Sequence, residues 1–182
     1  MTRSADQHPP RDNSVDPEGE FPLGTPEYFL YLLFTAARYR DQALETRLKP
    51  LGLTMPRWRA LAIIRRMREC TMTALALFST IERTTLTRTV DHLVEEGLVE
   101  RWVPARDRRQ VKLALTDAGE ALYGQAVAGL LSSNQRALDG LSGEDLRQCT
   151  RALQTLLRNI VEDEDVATEL LTFFRPQSSP DA

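Results

Sequence analysis

The stretch TLTRTVDHLVEEGLVERWVPARDRRQVKLALTDAG, Thr85 to Gly119, changes its apolar period partway along. Leu86, Val90, Leu93 and Val94 recur at helical spacing, and Gly97 follows where a helix closes on a left-handed residue. That stripe leaves Arg83, Thr84, Thr85, Thr87 and Arg88 on the opposite side near the helix start, a face rich in hydroxyl and guanidinium donors. LVERWVP and QVKLALT then read as two short strands around ARDRR. In the second, Val111, Leu113 and Leu115 alternate with Gln110, Lys112 and Ala114, the two-residue period of a half-buried strand. The result is a hairpin with a basic tip: residues 101–112 hold five Lys or Arg against one Asp.

Upstream, TALALFS lies within a helical piece from Thr71 to Ser79, joined to the 82–96 helix by Thr80 and Ile81, so two helices meet at a short turn. Before it, Thr54 and Pro56 open a helix carrying Trp58, Leu61 and Ile64 to about Arg68. Thr25 and Pro26, a capping hydroxyl with proline at the first helical position, open the first helix, which runs to about Lys49. Its segment YFLYLLFTAARY is apolar on nearly every side, the pattern of a helix buried on more than one face. Downstream, Thr116 caps a helix to about Leu138 that contains Gly119, Gly124 and Gly129, and Ser142 caps another with the stripe Leu146, Cys149, Leu153, Leu156, Leu157 and Ile160. Cys149 in that stripe reads as a buried thiol, as does Cys70. A last amphipathic piece, VATELLTFF, precedes a polar tail.

Charge is distributed unevenly over this layout. The whole chain of 182 residues carries −3, but residues 57–112 hold 12 Lys or Arg against 7 Asp or Glu, and the flanking segments are acidic. A basic centre between acidic ends is the pattern of one internal module that meets a polyanion. No run approaches the ~20 apolar residues of a membrane span, and the first 20 residues hold no apolar run that suits a secretion signal, so a cytoplasmic location without membrane contact is expected. Two cysteines and two histidines, widely spaced, match no metal-site pattern, and no catalytic constellation or glycine-rich cofactor loop is visible. The expectation is therefore a non-enzyme with no cofactor and no metal.

The order of four helices, a hairpin and further helices resembles the MarR family of winged helix-turn-helix transcription regulators. The resemblance spans residues 26–162 and is carried by Leu86, Thr87, Arg88, Val90, Leu93, Gly97, Leu98, Val99, Arg101, Asp107, Arg108, Arg109, Leu115, Thr116 and Gly119 in order. Leu53 to Leu61 fits the start of the family's second helix. The chain departs from the pattern at Pro104, where an acidic residue is usual, at Thr80, where glycine is common, and in the apolar LALFST.

The resemblance implies a mainly α fold with a small β-hairpin wing. It gives a winged helix-turn-helix domain (53–115) and a helical dimerisation region (25–52 and 116–175), while residues 1–24, with four prolines among charged and small residues, read as a disordered arm and 176–182 as a polar tail. It implies a cytoplasmic homodimer that binds an inverted-repeat operator in double-stranded DNA as a repressor, released by a small aromatic or anionic effector. DNA contacts fall to Arg83, Thr84, Thr85, Thr87 and Arg88 on the recognition helix and to Arg106, Arg108 and Arg109 on the wing. Short hydroxyls and arginines suit base edges in the major groove, and arginines on a thin hairpin suit the negative minor groove. Arg38, Tyr39 and Trp58 are candidates for the effector pocket, although Trp58 reads equally well as a core aromatic and Arg38 as a dimer salt bridge. A winged-helix protein-interaction module without DNA binding is the alternative, supported by the apolar LALF surface.

Overall fold

A computed structural model describes residues 25–105 and 110–173, so the expected N-terminal arm, the wing tip with Arg106, Arg108 and Arg109, and the polar tail lie outside the described residues. The chain divides into two compact units, residues 1–39 and 40–182. The boundary falls inside the first helix, α1 (Pro26–Leu48).

In the first unit, Thr25 caps α1 as its sequence suggests, its Oγ1 accepting from the Tyr28 amide at 3.3 Å. The apolar run that follows is largely exposed among the described residues: Phe34 is 70% exposed and Tyr31 61%.

In the second unit, the end of α1 contributes Leu44 and Leu48 to the core. A 3-10 turn (Lys49–Leu51) ends at Gly52 with φ +67°, and α2 (Met55–Met67) begins after Thr54. Short strand β1 (Cys70–Thr71) leads into α3 (Met72–Ser79), then α4 (Arg83–Glu95), β2 (Val99–Trp102), β3 (Lys112–Leu115) and α5 (Asp117–Ala137). Ala60, Leu61, Ile64, Leu75, Leu86, Val90, Leu93 and Leu113 are fully buried where α2, α3, α4 and the sheet meet. α6 (Gly143–Ile160) and α7 (Glu164–Thr172) follow. The fold class is the expected one, mainly helical with a small antiparallel sheet.

Four details depart from the sequence reading. The sheet has a third strand, since β1 pairs with β3 through Cys70–Leu113 and Thr71–Lys112 in the order β1-β3-β2. Two residues carry no readable periodicity, and only the neighbouring strand makes them a strand. Val111 lies outside β3 and is exposed, so the alternation expected across QVKLALT holds its buried position only at Leu113. Cys149 is exposed: among the described residues α6 packs against α7 yet none of its residues is fully buried, and Cys149, Leu153 and Ile160 stay open. α7 starts earlier than VATELLTFF because the acidic run supplies the cap: Asp163 accepts from the amides of Asp165 and Val166 at 2.9 and 3.1 Å.

Two backbone positions explain sequence features. Thr80, at the position where the family favours glycine, does adopt the left-handed conformation, φ +52°, and its β-branched side chain makes that costly by ~1–2 kcal/mol. Gly119 is required by close approach: a Cβ there would lie 2.1 Å from the Leu98 carbonyl oxygen. Alanine has the better helix propensity by ~1 kcal/mol, yet Gly119→Ala is expected to destabilise the protein by about 1–3 kcal/mol, because backbone must move to admit the methyl group. Urea unfolding of the two proteins measures the difference, and an unchanged or higher midpoint would contradict the close packing.

Candidate nucleic-acid interface

α4 is held on three sides. Its apolar stripe, Leu86, Val90 and Leu93, is fully buried, and the Thr89 hydroxyl, also buried, donates to the Thr85 carbonyl at 2.8 Å. At its start Glu82 is the capping residue, accepting from the amides of Thr84 at 2.9 Å and Thr85 at 3.0 Å. These main-chain donors, Thr84 first, hold the Glu82 carboxyl below its ordinary pKa. The cap therefore contributes fully above the carboxyl's unfolded pKa and is lost as pH falls through the lowered folded one. At its end, Arg57 of α2 donates both to Glu96 and, at 3.2 Å, to the Gly52 carbonyl, tying α4 to the turn before α2.

This anchoring leaves Arg83, Thr84, Thr85, Thr87 and Arg88 exposed together over the first half of α4, as the sequence stripe indicates. Among the described residues neither Arg83 nor Arg88 has a carboxylate partner, whereas Asp91, further along, pairs with Arg101 of β2 at 2.7 Å. Arg83, Thr87 and Arg101 share a cleft of about 340 Å³ with Met72, Ala76 and Val111, so the exposed polar face of α4 and the base of the hairpin form one continuous surface. Two of the five wing-region cations are thus committed internally: Arg101 to Asp91, and Lys112 to Glu69 at 3.4 Å. Sequence reading missed the roles of Glu82, Asp91 and Arg57. The spacing of Glu82 two and three residues before Thr84 and Thr85 is a capping signal visible in the sequence, but the other two pairs join separate elements.

The candidate effector residues separate. In the first unit, the Arg38 guanidinium lies over the neighbouring Tyr39 ring, 4.4 Å from its centroid. In the second, Trp58 stacks on Tyr123 of α5 with ring centroids 4.9 Å apart and packs against the core, while Arg65 covers the other aromatic partner at 4.6 Å and pairs with Glu120. Trp58 thus ties α2 to α5.

A buried β-hairpin base, an exposed polar recognition helix and a supporting helix before it define a winged helix-turn-helix protein. Residues 53–111 match the MarR family. A MarR-family transcriptional regulator from Silicibacter pomeroyi shares 29% identity and a TM-score of 0.68, covering 75% of this chain and 92% of that one. The transcriptional regulator SlyA shares 26% identity and a TM-score of 0.67 over 72% of this chain and 93% of its own. A cysteine-to-serine mutant of E. coli MarR, solved in complex with operator DNA, shares 26% and 0.65 over 71% and 94%. Residues 53–111 thus carry a MarR-family domain, and the fold is that of the MarR-family winged-helix transcription regulators it is similar to. No helix among the described residues is long and apolar enough to cross a membrane.

Cys70, between α2 and α3, is 2% exposed, and burial pushes its thiol up to about 11 against a small opposing pull from Lys112. Thiolate is the reactive form, so a Cys149→Ser variant is expected to show no reactive thiol at pH 8 until denaturant is added, when one equivalent appears. Titration with a disulfide reagent reads this directly; rapid modification of the native variant would place Cys70 within reach of solvent.

Proposed function

We propose that the chain is a homodimeric, sequence-specific repressor that reads an inverted-repeat operator with α4 and the wing and is released by a small aromatic or anionic effector. The observation that carries the DNA-reading part is the exposed group Arg83, Thr84, Thr85, Thr87 and Arg88, without carboxylate partners among the described residues, on a helix whose opposite side is buried. That E. coli MarR has been solved with operator DNA supports the same reading. Arg88, Thr85 and Thr87 contact base edges, while Arg106, Arg108 and Arg109 of the wing contact phosphates and the minor groove. Arg38, Tyr39 and Trp58 remain the candidates for effector contact.

The alternative of a protein-interaction module rested on the apolar LALF surface. Phe78 of that segment is stacked against Phe173 of the same chain, and Leu75 is fully buried, so the surface is largely occupied from within.

Dimerisation is supported by two apolar faces exposed among the described residues, α1 from Phe29 to Phe34 and the part of the α6 stripe with Leu153 and Ile160, the latter 65% exposed. A second copy would bury them. Phe173 at the end of α7, expected to join that interface, has its aromatic partner, Phe78, in its own chain. Sedimentation at micromolar concentration is expected to give a particle of twice the 20.6 kDa chain mass, and a 20.6 kDa particle would refute the dimer.

The DNA assignment is tested with a duplex that the wild-type chain selects from a randomised pool, compared with random duplex at two salt concentrations. Arg108→Ala with Arg109→Ala is expected to weaken binding to both and flatten the salt slope, since phosphate contacts are indifferent to sequence. Arg88→Ala is expected to narrow the gap between the two duplexes by about 1–3 kcal/mol, the worth of a base-edge contact. The selected sequence should contain half-sites ~10 bp apart. Full affinity in the wing variant would make the basic hairpin a solvated surface.

A further inference from the structure

The first helix of the helix-turn-helix carries a phenylalanine in the apolar segment LALFST, and the structure shows what that residue meets. Phe78 of α3 stacks on Phe173, the residue that ends α7, with ring centroids 3.9 Å apart and planes 14° from parallel. Arg66 of α2 completes the joint: its Nε donates to the Phe173 carbonyl at 2.5 Å and its guanidinium lies 5.7 Å from the same ring centroid. One residue near the end of the chain is thus gripped through its ring by α3 and through its backbone by α2. α7 is itself seated, since Ala167 is buried and the helix packs against α6.

We propose that Phe173 is a positioning residue for DNA reading: a C-terminal clasp that holds α3 against α2, and so fixes the helix on which α4 is mounted. The clasp rests on the reading role of α4 proposed above. α3 has only eight residues and cannot hold itself in place as an isolated helix; its position comes from what covers it. On the core side that is Leu75, packed among the residues of α2 and α4; on the other side it is Phe173. The turn from α3 to α4 is only Thr80 to Glu82, so a loosened α3 transmits its motion to the recognition helix. Base-edge hydrogen bonds demand tight geometry, whereas phosphate contacts tolerate displacement, so the clasp acts on specificity more than on total affinity.

The test has two arms, both on the full chain. In the free protein, hydrogen exchange of residues 72–79 is expected to quicken several-fold in Phe173→Ala, with β2, β3 and α5 unchanged, and to return toward wild type in Phe173→Tyr, which restores the ring. In DNA titrations at a temperature where every variant is folded, Phe173→Ala and Phe78→Ala should each lower the ratio of affinities for the selected and random duplexes by about two- to tenfold, the range for an aromatic pair. The double variant should lose little more than either alone, because the two substitutions remove one contact. Phe173→Leu keeps apolar volume and serves as the folded control should the alanine variant unfold; it is expected to retain part of the ratio. Unchanged exchange in α3 would overturn the clasp, and additive losses in the double variant would overturn its link to reading. If the wild-type chain selects no duplex, the DNA-reading role falls together with the specificity effect, while the exchange arm still decides whether Phe173 holds α3.

Discussion

The close approach of Gly119 to the Leu98 carbonyl sets the geometry of the winged helix. Four elements meet there: the end of α4, the start of β2, the end of β3 and the start of α5. Thr116 joins them, its amide donating to Leu98 O at 3.1 Å, its hydroxyl donating to Gly97 O at 2.6 Å and accepting from the Gly119 amide at 3.1 Å. One side chain therefore caps α5 and ties it to the glycine that ends the recognition helix, which turns at φ +69°. The wing projects from that junction, so the angle between helix and hairpin is fixed by backbone contacts that admit no Cβ at residue 119.

Electrostatics divides the basic centre into two kinds of cation. Arg57, Arg101 and Lys112 have carboxylate partners elsewhere in the fold: Arg57 ties α2 to Glu96 at the end of α4, Arg101 ties β2 to α4, and Lys112 ties β3 to Glu69 ahead of β1. Such partly exposed pairs are worth little as stability, about 0–1 kcal/mol each, but they fix orientation. Arg83 and Arg88 have no such partner among the described residues and leave their field directed outward. Counting charges along the chain gives the sign of that field; the ion pairs decide which residues supply it. Glu82 acts in both respects: its carboxylate satisfies the free amides at the start of α4 and places a negative charge beside the exposed polar face of that helix.

The apolar surface is sorted in a similar way. LALF and the end of α7 find each other within the chain, with Arg66 covering the joint, and that contact removes the clearest sequence argument for a protein-binding winged helix. Among the described residues the beginning of α1 and Cys149, Leu153 and Ile160 of the α6 stripe stay exposed, and under the proposed dimer a second copy covers them. Cys149 sits in that stripe, which is why periodicity alone reads it as buried.

Sequence by itself determined the local elements: Thr25, Thr116 and Ser142 start helices because a hydroxyl satisfies orphan amides, Gly97 ends one because it tolerates positive φ, and the period of Leu86, Val90 and Leu93 fixes which face of α4 is polar. These signals lie within a few residues and need no partner. Only the tertiary structure decided the pairings between distant segments: β1 as a strand against β3, Arg57 with Glu96, Asp91 with Arg101, Phe78 with Phe173. Each joins residues whose separation along the chain carries no periodic trace, and each depends on where the buried core brings the elements together. Burial follows the same division, since a stripe shows which side of a helix is apolar and only a neighbouring element can cover it.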